Sequence, residues 1–122
     1  MALDEIQAFI VASFRSVWTL EVLRVLRAEP GRAFARPELV EALRASALVV
    51  DQSLAALLAA GLVVTDRDDA AHYGPANPRL AALAEAAEQL YAKSPDAVRR
   101  LIVAAANPGI TAFADAFKLK GD

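Results

Sequence analysis

Between Ser46 and Tyr73 the spacing of apolar residues changes from a helical period to a strand period. On a helical wheel Val50, Leu54, Leu57 and Gly61 share one narrow arc, flanked by Ala47 and Leu58, which predicts a helix. Gly61 is its predicted stop, because glycine accepts positive φ just past a last turn. Leu62, Val63 and Val64 then predict a strand, and Asp66-Arg67-Asp68-Asp69 a polar turn. His72-Tyr73 returns as the partner strand.

Upstream, Leu3 to Phe14 carries Ile6, Phe9, Ile10 and Phe14 on one side of a helix, with Asp4 and Glu5 in its first turn. Ser16 to Arg27 predicts the next helix, with Trp18, Val22, Leu23 and Leu26 as its core face, and Glu29-Pro30-Gly31 ends it. Ala33-Phe34-Ala35 is short enough for an isolated strand edge. Pro37 suits the first position of a helix that turns Leu39, Val40 and Leu43 inward and Glu38, Glu41 and Arg44 outward. Only Ala45 and Ser46 separate it from the helix that follows, the connection of a helix-turn-helix.

Downstream, Gly74-Pro75 breaks the strand and Asn77-Pro78 starts a helix marked by Leu80, Leu83, Ala84, Ala87, Leu90 and Tyr91. Ser94-Pro95-Asp96 repeats that start, followed by Val98, Leu101, Ile102 and Ala105. After the break at Asn107-Pro108-Gly109, Thr111 can cap a last short helix carrying Phe113 and Phe117. The chain therefore reads as one domain: an N-terminal helix over 1–15, a core over 16–80 and a helical extension over 81–122. It is mainly α with a small β-hairpin.

Composition narrows the chemistry. Hydrophobic residues make up 57% of the chain, much of it alanine, which suits helices. There is no cysteine, so disulfides and thiolate chemistry are excluded. The longest uncharged runs, about 14 residues each, fall short of the ~20 that span a bilayer. MALDEIQAF is acidic where a signal peptide is basic, so a cytoplasmic protein with no membrane partner is expected. His72 is the only histidine, and it stands among turn acids that read as solvated rather than as a metal cluster. Without a phosphate loop or a nucleophile motif either, the expectation is a non-enzyme with no cofactor.

Pro37 to Leu43, then Val50, Leu54 and Leu57, Ala60 to Val63, and the returning Tyr73 carry a resemblance. Over Trp18 to Leu80 the chain looks like the winged helix-turn-helix core of small bacterial transcription regulators of the multiple-antibiotic-resistance-regulator or related types. The resemblance implies a third helix that enters the DNA major groove, a wing at its side, and flanking helices that build a homodimer. Ile6, Phe9, Ile10, Val98, Ile102, Phe113 and Phe117 are the apolar residues that such a dimer would bury.

On the wheel the third helix turns Leu48, Val49, Gln52, Ala55, Ala56 and Ala59 outward, and only Gln52 and Ser53 can read a base edge. Arg32, Arg36 and Arg44 flank the second helix within reach of phosphates, and Arg67 stands in the wing. Against them, residues 45–80 hold Arg67 and Arg79 but Asp51, Asp66, Asp68 and Asp69, so the formal charge of −2 falls where DNA would lie. Two readings follow from one face: a transcription regulator with unusual DNA contacts, or a winged helix that docks a protein through Leu48, Val49 and the alanines.

Overall fold

A computed structural model describes residues 1–107. Among them are six helices: α1 (Leu3–Ser13), α2 (Val17–Ala28), α3 (Arg36–Leu43), α4 (Ala47–Ala59), α5 (Pro78–Lys93) and α6 (Pro95–Ala106). Strands β1 (Val63–Thr65) and β2 (Ala71–Tyr73) form one antiparallel sheet in the register Val63–Tyr73, Val64–His72 and Thr65–Ala71. The protein is thus mainly helical with a small hairpin.

Local chemistry sets most of the helix ends. The Ser16, Ser46 and Asn77 side chains accept the backbone N–H groups of Thr19, Val49 and Leu80, capping α2, α4 and α5. Before α3, Ala35 has no such oxygen. The Glu38 carboxylate instead accepts the Ala35 N–H at 3.1 Å, and Pro37 takes the second helical position rather than the first. Ser94 alone separates α5 from α6, with Pro95 opening the second.

The end of α4 decides where the hairpin begins. Gly61 has φ +75°; its N–H donates to the Leu58 carbonyl at 3.1 Å, and the Leu62 N–H donates to the Leu57 carbonyl at 3.0 Å. These paired bonds are a Schellman turn, and it leads the chain directly into β1 with Leu62 fully buried. The Ala76 N–H returns to the Gly61 carbonyl at 2.8 Å, clamping the hairpin's exit against its start. Phe34 adds a single bridge to Ala71, exchanging bonds of 2.7 and 2.9 Å, where the sequence predicted a short strand edge.

One core runs through all six helices. Its largest fully buried side chains include Phe14, Ile10, Leu20, Leu23 and Ile102. Phe9 meets Phe14 edge-on, 5.7 Å between centroids. Trp18 is 41% exposed and is no core residue; α2 instead buries Thr19, Leu20, Val22, Leu23 and Leu26. Among the described residues no single helix is long and apolar enough to cross a membrane.

Candidate macromolecule-binding face

α3 and α4 change direction by 111° across Arg44–Ser46, which turns one side of α4 outward beside the hairpin. That side carries Leu48, 64% exposed, then Asp51, Gln52, Ala55, Leu58 and Ala59. Val49 is half-buried at its edge. Leu58, predicted to flank the core, is 42% exposed.

Two predicted outward positions are corrected. Ser53 is 1% exposed and Ala56 is also buried, so Ser53 cannot read a base edge. They belong to the buried stripe of α4, with Val50, Leu54 and Leu57, on the helix that packs most extensively against α2. Small residues at such a seam let two backbones approach closely.

The arginines around this face divide into paired and unpaired ones. Arg36 Nη1 donates to both carboxylate oxygens of Asp51, at 3.1 and 3.0 Å. Arg32 pairs with Glu29 at 3.0 Å and with Glu38, while its guanidinium lies 4.2 Å from the Phe34 ring centroid. Arg79 reaches across to Glu5 on α1 at 3.3 Å. Arg44 and Arg67 are exposed and meet no carboxylate among the described residues. Arg44 also sits in the left-handed region at φ 53°, closing α3.

The hairpin turn is acidic and well built. The Asp69 N–H donates to the Asp66 carbonyl at 3.1 Å, and the Asp66 N–H donates to the Ala70 carbonyl at 2.9 Å. Asp69 takes φ 59°, so a type I turn is followed by a left-handed residue, a common three-residue hairpin loop. Asp66 Oδ1 accepts the N–H groups of Asp68 and Ala70, at 2.8 and 3.0 Å. Asp66 is therefore part of the turn itself, whereas the carboxylates of Asp68 and Asp69 meet no partner among the described residues.

Two clefts border the outward side of α4. One, of about 440 Å³, lies toward the hairpin, between Pro37, Leu54, Ala55 and Leu58 on one wall and Thr65, Asp68 and Asp69 on the other. The second, of about 450 Å³, brings Arg15, Ser16 and Thr19 of the α2 start beside Gln52 and Ala55. Arg15 escaped the sequence reading because only the folded packing of α2 on α4 places it there. His72 is half-buried on β2 opposite Val64. No group of three metal-ligating side chains occurs among the described residues.

The predicted dimer residues lie elsewhere. Ile10 and Ile102 are fully buried and Phe9 nearly so, within the core of a single chain, and Ile6 is partly buried against it. This corrects the expectation that they bury against a second copy: α1 packs on α5 and α6 of its own chain. Leu3, Val11 and Val103 remain exposed on these helices. Phe113 and Phe117 lie outside the described residues.

The shifted titrations also lie away from α4. Burial pushes the Glu88 carboxyl above the usual carboxylate range, with Arg27 at 2.8 Å acting against it. Arg27 Nε is buried and makes no well-aligned hydrogen bond among the described residues, so the contact is a close ion pair of poor geometry. Burial, and then the hydrogen bond it donates to Glu21 at 2.7 Å, raise Tyr91. These groups tie α2 to α5.

Comparison with family profiles, curated proteins and solved structures returns no match for this chain. The functional reading therefore rests on the residues themselves.

Proposed function

We propose that this protein is a small winged-helix regulatory protein whose α4–hairpin face docks another protein. The winged-helix assignment is supported by the order α2, α3, α4, β1, β2, with Phe34 bridged to the hairpin and a tight turn before α4. The observation that carries the docking reading is the α4 side itself. It offers Leu48, Ala55 and Leu58 to solvent, and its one adjacent helical arginine, Arg36, is bound to its own Asp51. Phosphate neutralisation by arginine and lysine supplies most of the sequence-independent affinity for DNA. Exposed aliphatic surface rimmed by polar groups suits a protein contact instead.

A second reading, transcription regulation through DNA, is favoured by Arg44 and Arg67. Both are exposed and free of carboxylates among the described residues, Arg44 in the α3–α4 connection and Arg67 in the hairpin turn. Either way the protein acts by binding, from the cytoplasm and as a homodimer joined over Leu3, Val11 and Val103.

Titrating the protein into a labelled mixed-sequence DNA duplex at low salt tests the choice. The docking reading expects weak association with no protection of the duplex. A complex that protects a defined sequence, weakens steeply with salt and is lost in Arg44→Ala or Arg67→Ala overturns it.

A further inference from the structure

The α4–hairpin face has a chemistry specific enough to select among partners. Its floor is aliphatic: Ala55 and Leu58 are exposed on α4, and Leu54 lines the cleft below them. Along the hairpin wall stand the carboxylates of Asp68 and Asp69, which the turn does not use, since Asp66 accepts both turn N–H groups. At the α3 end Arg36 is already neutralised by Asp51. The cleft is therefore apolar below and anionic along one side.

Three occupants can be weighed by charge. A nucleic acid would bring phosphates against free carboxylates. A second copy of this chain, docked through the same face, would offer these carboxylates no unpaired cation from the cleft, since its Arg36 is already bound to Asp51. A polypeptide carrying arginine or lysine beside aliphatic residues meets both features at once. Its side-chain stem lies on Leu58 and Ala55, and its cationic head reaches the wall.

From this complementarity we infer that the cleft between α4 and the β1–β2 turn docks a cationic, aliphatic segment of a partner protein. The inference rests on the protein-docking reading and adds the partner's charge to it. An arginine is favoured over a lysine, because its planar fork can engage two neighbouring carboxylates.

The test uses the full chain, isotopically labelled, with three probes followed by backbone amide resonances. The first is a synthetic amphipathic helix of about 18 residues with leucine on one face and arginine on the other. The second carries glutamate in place of arginine, and the third is a DNA duplex. Expected is a saturable shift of Ala55, Leu58, Thr65 and Asp69 with the arginine peptide alone. Its affinity should fall about threefold to tenfold in the double variant Asp68→Asn, Asp69→Asn. Asparagine tolerates the left-handed backbone at position 69, and an unchanged melting temperature checks the fold. Equal binding of the glutamate peptide on this face would overturn the cationic partner and leave protein docking standing. Shifts with the duplex alone would remove both. An unshifted face with the arginine peptide, or undiminished affinity in the double variant, would overturn the inference.

Discussion

Two helix ends in this protein make the same turn with different residues. At the end of α4, Gly61 holds φ 75° with its N–H on Leu58 and the next N–H on Leu57. At the end of α3, Arg44 holds φ 53° with its N–H on Glu41 at 3.4 Å and the Ala45 N–H on Val40 at 3.3 Å. Any residue with a Cβ pays a conformational penalty there of roughly 1–2 kcal/mol, and glycine does not. Reciprocal substitutions should therefore shift stability in opposite directions.

For Gly61→Ala the penalty is partly offset, because the unfolded chain loses the extra freedom of glycine. A Cβ at that position stands 3.3 Å from Leu80 Cδ1 and 3.5 Å from Ala76 Cβ, so the first neighbour must give slightly and the second need not. Leu80 Cδ1 is the end of a flexible side chain, so the crowding adds only slightly, and the net loss should be about 0.5–1.5 kcal/mol. Gly61→Val, β-branched in the same backbone state, should lose about 2–3 kcal/mol. For Arg44→Gly the relieved strain is offset by the greater freedom of glycine in the unfolded chain, leaving a gain of about 0.5–1 kcal/mol. Urea denaturation with an unchanged slope reads these differences directly, and a thermal scan should show Gly61→Ala several degrees lower. If Gly61→Ala matches the parent, the glycine is not required by the turn and the hairpin's placement loses its cause. A destabilised Arg44→Gly would mean that the arginine side chain holds the end of α3.

Glu88 gives a pH prediction with a definite sign. Its carboxyl is raised in the folded state, so the folded protein holds that proton more tightly than the unfolded chain. Stability should fall as pH rises from the usual carboxylate range through the raised value, and denaturation in Glu88→Gln should lack that fall; an identical pH profile in the two proteins would refute it. The proposed homodimer predicts a mass near twice 12.9 kDa by light scattering, returned to the monomer in Val103→Asp. A monomer at micromolar concentration in the parent protein would refute that assembly.

Helix starts and the α4 exit were legible because they depend on single residues. Ser16, Ser46, Asn77 and Gly61 do what their side chains, or lack of one, allow locally. Helical phase was less legible. In α4, alanine occupies positions 47, 55, 56 and 59, and alanine fits a seam or a surface equally well. The wheel therefore put Leu58 near the core and Ser53 and Ala56 outside, whereas packing against α2 selects the small residues for the seam. The apolar stripe of α1 was legible as a stripe but not its partner. The helices that pack on α1 are α5 and α6 of the same chain, which begin at Pro78 and Pro95, and spacing alone carries no such information. The Arg36–Asp51 pair, 15 residues apart, is likewise a product of the 111° bend.

That pair also bears on what the face can bind. Exposed ion pairs are worth about 0.2–1 kcal/mol, so exchanging Asp51 for a phosphate on Arg36 is energetically open. The difficulty lies in what the exchange leaves behind. Asp51 would then stand unpaired on the side of α4 facing the duplex, with Asp68 and Asp69 beside it across the cleft. A carboxylate about 8 Å from a phosphate costs about 0.5 kcal/mol in water and about 2 kcal/mol at the lower effective dielectric of a surface contact. On the same scale a close arginine–phosphate pair returns about 4 kcal/mol, so three such charges offset most of what Arg36 and Arg67 gain from phosphates. A cationic segment seated in the cleft removes these costs without breaking Arg36 from Asp51, and Arg44 and Arg67, which do not line the cleft, limit how far along the face it extends. The same aspartates that weigh against a duplex are thus the reason to expect a cationic protein on this face.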